Sequence, residues 1–155
     1  MIESHGMMGT FEITVKQNGK VIQKDIVKNR IMNVALNESV KPLTGVAADL
    51  EIKYLAVGTS NTALADNQTQ LVAESVRFEP SVSSSITGTG EVSTEFTILD
   101  TEAQVLIEEL GIFCGSTATA TANTGIMLSR ILWTYDKTVS NVEISVRRTD
   151  KAVRV

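Results

Sequence analysis

The chain has 155 residues, about one domain's worth, and its 14 Lys and Arg against 18 Asp and Glu leave a net charge of −4. That balance argues against a general nucleic-acid binder, and the single Cys and single His exclude a disulfide framework, a multi-cysteine zinc site and a His-rich metal centre. No apolar run reaches the ~18 residues of a membrane helix, and the N-terminus lacks a signal-peptide plan, so the expectation is a soluble, non-secreted domain without a membrane partner.

Val, Ile and Thr make up about a third of the chain, and these residues suit a pleated, half-buried surface. In chain order, Met1–Gly9 has no periodicity and reads as an arm. Phe11, Ile13 and Val15 alternate with Glu12, Thr14 and Lys16, the period of a half-buried strand. Asn18-Gly19 then marks a type I′ turn, with Lys20–Lys24 returning. Val27, Ile31, Val34, Ala35 and Glu38 fall at helical spacing, so the pattern predicts one helix near residues 26–39. Asp25 is placed to cap it, and Pro42 and Gly45 lie beyond its end.

Glu51–Val57 reads as a strand and Thr59–Gln68 as a polar loop. Ala73–Glu79 reads as a strand, and residues 81–90 as a small-residue stretch before the alternating strand Val92–Ile98. Val105–Cys114 is nearly continuous apolar and predicts a buried strand with a bulge near Glu108-Glu109. Ser116–Gly125 alternates Thr and Ala without apolar payload and predicts a loop or hairpin tip. Ile126–Trp133 and Val139–Arg148 close the series, with Trp133 in the core, leaving residues 149–155 as a basic tail. About eight strands and one helix make a single mainly-β domain, a β-sandwich or jelly roll.

Motifs for chemistry are sparse. Gly88-Thr89-Gly90 lacks the helix N-terminus that a phosphate cradle needs. His5, the one conventional base at neutral pH, lies in the arm without a spaced partner and reads as solvated. Cys114 sits in an apolar run and reads as a small hydrophobe. Glu108-Glu109 offers two carboxylates, but neighbours on a strand face opposite sides. A turn, a bulge or an ion pair with Arg130 is the preferred reading of that pair. Asp49, Asp66, Asp100, Asn61 and Asn67 lack calcium-loop spacing and read as loop residues. Arg147, Arg148, Lys151 and Arg154 suit an acidic partner surface better than DNA. Hence no catalytic, cofactor or metal residue is assigned.

The order of the segments carries more than any one of them. VKNRIMNVALNE leads to IKYLAVGTSNTALADNQTQLVAE, then SVRFEP, then EELGIFCG, GIMLSRILW and a closing alternating strand. Over Val27–Arg147 this resembles small structural proteins of tailed bacteriophages. In those, an Ile/Val-x-Tyr-Ile/Leu-Ala-Val/Ile-Gly-Thr segment precedes a Leu-x-x-Glu, a Glu-x-Gly-Ile/Leu-Phe and a Met-Leu/Phe-x-Arg element. The resemblance implies a virion component of the tail, neck, fibre base or head surface, whose partners are copies of itself and other virion proteins.

Assembly then needs exposed surfaces rather than reacting groups. The candidate interface residues are Met7, Met8, Val27, Ile31, Arg130, Tyr135, Arg147 and Arg148. Alternatives are a head decoration protein and a carbohydrate-binding sandwich module, the latter disfavoured by only seven aromatic residues. A small hydrolase using Glu108 or Glu109 is the enzymatic rival.

Overall fold

The computed structural model describes residues 5–139 and 141–154, with the side chains of His5 and Arg154 outside that description. Asn18 and Gly19 take positive φ angles of 50° and 75°, as a two-residue hairpin turn requires. They join β1 (His5–Gln17) to β2 (Lys20–Asn29), and the antiparallel ladder runs from Gln17↔Lys20 to Gly9↔Asn29.

The predicted helix is much shorter than its pattern suggested. Residues 26–29 belong to β2, and α1 is confined to Asn33–Ser39, followed by a 3-10 turn at Lys41–Thr44. Lys24, Ile26 and Lys28 are exposed while Gln23, Asp25, Val27 and Asn29 are half-buried, a period of two. Residues four apart share a face in a helix and also in a strand, so Val27 and Ile31 satisfied both templates. The ladder with β1 decided the outcome. Asp25 therefore caps nothing; it accepts hydrogen bonds from Trp133 Nε1 at 2.9 Å and Gln23 Nε2 at 2.6 Å.

The remaining strands are β3 (Ile52–Gly58), β4 (Glu74–Phe78), β5 (Val82–Gly88), β6 (Glu91–Ile98), β7 (Leu106–Cys114), β8 (Ile126–Asp136) and β9 (Glu143–Arg154). They form a five-stranded sheet, β2-β1-β9-β6-β5, and a four-stranded sheet, β4-β3-β7-β8, both antiparallel throughout. The chain is a β-sandwich with one short α-helix. The expected bulge at Glu108-Glu109 is present as a register shift between Ile107 and Glu109.

Three further segments differ from the sequence expectation. Residues 5–9 of the arm and 149–154 of the tail pair with each other, from His5↔Arg154 to Thr10↔Thr149. β9 is hydrogen-bonded on both sides, by β1 and β6, so the ladder holds its end without an alternating pattern. The small-residue stretch at 81–90 contains β5, an edge strand exposed at every position. With nothing buried it showed no apolar period.

Phe11, Ile13, Val15, Phe96, Ile98, Ile144 and Val146 of one sheet meet Leu55, Val57, Leu110, Ile112 and Ile131 of the other in the main core. A second cluster, Met32, Ala56, Leu71, Phe113 and Met127, lies separately. Ala56 and Phe113 alternate with core residues along β3 and β7, so this cluster occupies the outer face of the four-stranded sheet. Apolar contact on both faces explains the apolar run Leu110–Cys114 of β7.

Trp133 is 7% exposed and stacks on Tyr135, with ring centroids 5.6 Å apart. The hydrogen bonds from Trp133, then Gln23, hold the Asp25 carboxyl below its ordinary value. A depressed carboxylate stabilises the fold at pH values above the unfolded pKa, and that stabilisation disappears as pH falls through the folded one. Asp25→Asn is expected to cost about 1 kcal/mol at neutral pH. The gap to the parent should close as pH drops below about 3.9. Denaturant unfolding across a pH series measures it; a gap constant with pH would contradict the assignment.

Candidate functional site

Four of the motifs singled out in the sequence meet in space. Gly58 ends β3, Glu109 stands in β7 and Arg130 in β8, so adjacent strands bring them together across Gly58↔Glu109 and Gly111↔Arg130. Arg130 Nε donates to Glu109 Oε2 at 2.6 Å, and both side chains are fully buried. The ion pair anticipated between them is thus present.

This pair clamps the loop of residues 59–73. Glu109 Oε1 accepts from the Ala73 amide at 2.7 Å, and Oε2 from the Val72 amide at 3.2 Å. Arg130 donates to the carbonyls of Thr62 at 2.9 Å and Ser60 at 3.4 Å, and to Gln68 Oε1 at 3.3 Å. A side chain at Gly58 would place its Cβ 2.4 Å from Glu109 Oε1, so the close approach demands glycine there. Leu71, 1% exposed, plugs the loop into the second apolar cluster. Every donor the clamp uses is matched to an acceptor, which a buried ion pair needs if it is not to destabilise the fold.

A second clamp fastens the Thr/Ala loop between β7 and β8. Arg77 grips Glu74 through Nε and Nη2, at 2.6 Å and 3.0 Å, and donates from Nη1 to the carbonyls of Thr119 and Thr124. Its guanidinium lies 4.1 Å over the Phe113 ring and 5.7 Å from Tyr54. Lys137 forms a third, its buried ammonium donating to the carbonyls of Leu99, Asp100 and Glu102. Burial pushes the Lys137 pKa down, against the opposing pull of Asp100 and Glu102.

The candidate interface residues separate into three groups. Ile31, Arg130 and Arg148 are buried within their own chain, so none of the three presents its side chain to a neighbour. Arg148 pairs with Asp150 at 2.6 Å, donates to Asn29 Oδ1 at 2.8 Å, and stacks 4.7 Å over Phe11. Arg148 continues the inward parity of Ile144 and Val146, a signal that reading it with the clustered cations passed over. Met7 and Val27 pack against the core edge, as does the half-buried Tyr135. Met8 at 47% exposure and Arg147 remain on the surface, the latter paired with Glu95 at 2.9 Å.

The other singled-out groups have local roles. Cys114 is buried, and desolvation pushes its thiol up to about 12. Asp49 accepts from the Ser116 hydroxyl and amide, which hold its carboxyl below the ordinary range. Asp66 pairs with exposed Arg30 at 3.0 Å. Among the described residues no helix is long and apolar enough to cross a membrane. His5 has a described backbone in β1, but its side chain lies outside the described set.

The solvent face of the five-stranded sheet is polar, crossed by the pairs Lys24–Glu12, Arg147–Glu95 and Lys151–Glu91. Such exposed pairs each contribute roughly 0–1 kcal/mol. Comparison with protein-family models, curated proteins and solved structures gave no match.

Breaking the buried pair is the direct test of the clamp. Glu109→Gln leaves a buried guanidinium without its countercharge and is expected to destabilise the fold by about 3–5 kcal/mol. Combined with Arg130→Met it should cost less than the sum of the two single changes. Denaturant unfolding gives the energies, and limited proteolysis within residues 59–72 should accelerate in either single variant.

Proposed function

We propose that this chain is a structural component of a tailed-phage particle, working as a homo-oligomer among other virion proteins and without enzymatic turnover. The observation that supports the reading is the convergence just described. Gly58, Leu71, Glu109 and Arg130, drawn from four separate motifs of the resemblance, belong to one clamp. Their order along the chain is the order of parts in one packed unit. Of Glu108 and Glu109, either of which the enzymatic rival would use, Glu109 has both oxygens committed to backbone amides and a guanidinium.

The clamps also suit assembly physically. A loop fixed before contact loses little conformational freedom on docking, so more of the contact energy appears as affinity. Three anchored connections, at 59–73, 99–102 and 116–125, give this sandwich preformed surfaces.

Negative-stain imaging of particles carrying a C-terminal tag on this chain tests the proposal. The label is expected at one fixed level of the tail, neck or fibre base, in a repeated copy number. Label spread over the capsid would instead make the chain a decoration protein. A protein that stays strictly monomeric at high concentration and is missing from purified particles overturns the reading.

A further inference from the structure

The two sheets treat their edges differently. In the four-stranded sheet, the β8 edge is closed by Ile31, which bridges to Ser129, and by the Met32 amide bonding the Leu128 carbonyl at 2.9 Å. On its other edge strand, β4, the Glu74 and Arg77 side chains hold the 116–125 loop. In the five-stranded sheet, β2 and β5 each have a strand partner on one side only, among the described residues.

Open edges of this length are usually guarded, because their free amides and carbonyls recruit another strand. These two are guarded poorly and in different ways. β2 shows Lys24 and Lys28 to solvent, interleaved with Ile22 at 51% and Ile26 at 66% exposure. β5 contains no charged residue and exposes Val82 at 52% and Ile86 at 83%. Behind β5, on the solvent face of β6, stand Glu91 and Glu95, both part-exposed despite their ion pairs. β2 thus carries Lys28 and Lys24, the latter shared with Glu12 at 3.1 Å, whereas β5 is uncharged with Glu91 and Glu95 behind it.

Resting on the homo-oligomer reading above, we infer that β2 of one copy pairs with β5 of the next, continuing the five-stranded sheet from copy to copy. Charge disfavours β2 meeting its own copy. Two β2 edges brought together would set lysine rows against each other, a destabilising cross-strand arrangement. Against β5, the same lysines meet Ser and Thr, with Glu91 and Glu95 one strand further, about 10 Å away and within reach of a lysine side chain.

The strand count fixes the geometry. Five strands, each antiparallel to its neighbours, leave β2 and β5 running in the same direction, so a continued sheet with its solvent face kept outward pairs them in parallel. Bulges in β5 and near Ile22 limit the shared ladder. The exposed β-branched side chains supply the remaining contact. Such a head-to-tail junction builds a ring where the rotation closes and a filament where it does not.

Charge reversal tests this in the full chain. One variant carries Ile26→Glu with Lys28→Glu, the other Val82→Lys with Ser85→Lys; all four positions are exposed, and circular dichroism checks that the fold is kept. Light scattering after size exclusion reads the assembly. Each variant alone is expected to need a concentration higher by roughly ten-fold or more, the β5 lysines meeting Lys24 and Lys28 directly and the β2 glutamates meeting Glu91 and Glu95 across β5. The chain carrying all four changes should recover assembly, since Glu on β2 then faces Lys on β5. A parent that never assembles defeats the homo-oligomer reading itself, and the inference with it. An assembling parent whose variants match it defeats this junction alone, as does a β2 variant that still forms dimers or a four-change chain that fails to recover.

Discussion

The Glu109–Arg130 pair is the constraint on which the arrangement of the four-stranded sheet depends. A carboxylate and a guanidinium removed from water are tolerable only when their remaining hydrogen-bonding capacity is met. Here the matching groups come from a loop that has no strand or helix of its own, all of them backbone except the Gln68 side chain. The loop must therefore stay in place for the pair to be affordable, and the pair must stay for the loop to be ordered. Gly58 and Leu71 follow from the same requirement, one by making room and the other by sealing the loop against apolar side chains.

Buried cations recur as the means of fixing connections. Arg77, Lys137 and Arg130 each reach from a strand or its end to carbonyls of a neighbouring loop. A carbonyl without a donor is costly once covered, so each contact converts a polar, turn-rich segment into a defined surface. Such segments would otherwise be the least ordered parts of a sandwich. The alternation of rigid sheet and anchored loop gives the molecule fixed features on several sides.

Much of the fold was legible because strands with one wet face announce themselves. Phe11, Ile13 and Val15 in β1, and Phe96 and Ile98 in β6, alternate as their burial does. The misreadings occurred where burial left no imprint on the pattern. β5 buries nothing, and the start of β1 is held mainly by its ladder with β9. Val27 and Ile31 have a spacing that two kinds of element share. The clamp was half visible: Glu109 and Arg130 could be paired by strand logic. Apart from the Gln68 side chain, their loop partners are backbone groups, which carry no residue signature. The inward side of Arg148 was legible in its parity with Ile144 and Val146, but its place over Phe11 needed the register of β9 between β1 and β6.

The position of β9 governs how the molecule can be made. The strand formed by the latest-synthesised described residues sits in the centre of the five-stranded sheet, between β1 and β6, which are separated by more than seventy positions of chain. On the ribosome, the first hairpin must wait as a two-stranded ribbon, too small for independent stability, until residues 143–154 emerge to bridge it. Such late, long-distance closure makes for slow folding and prolonged exposure of apolar strands to other nascent copies.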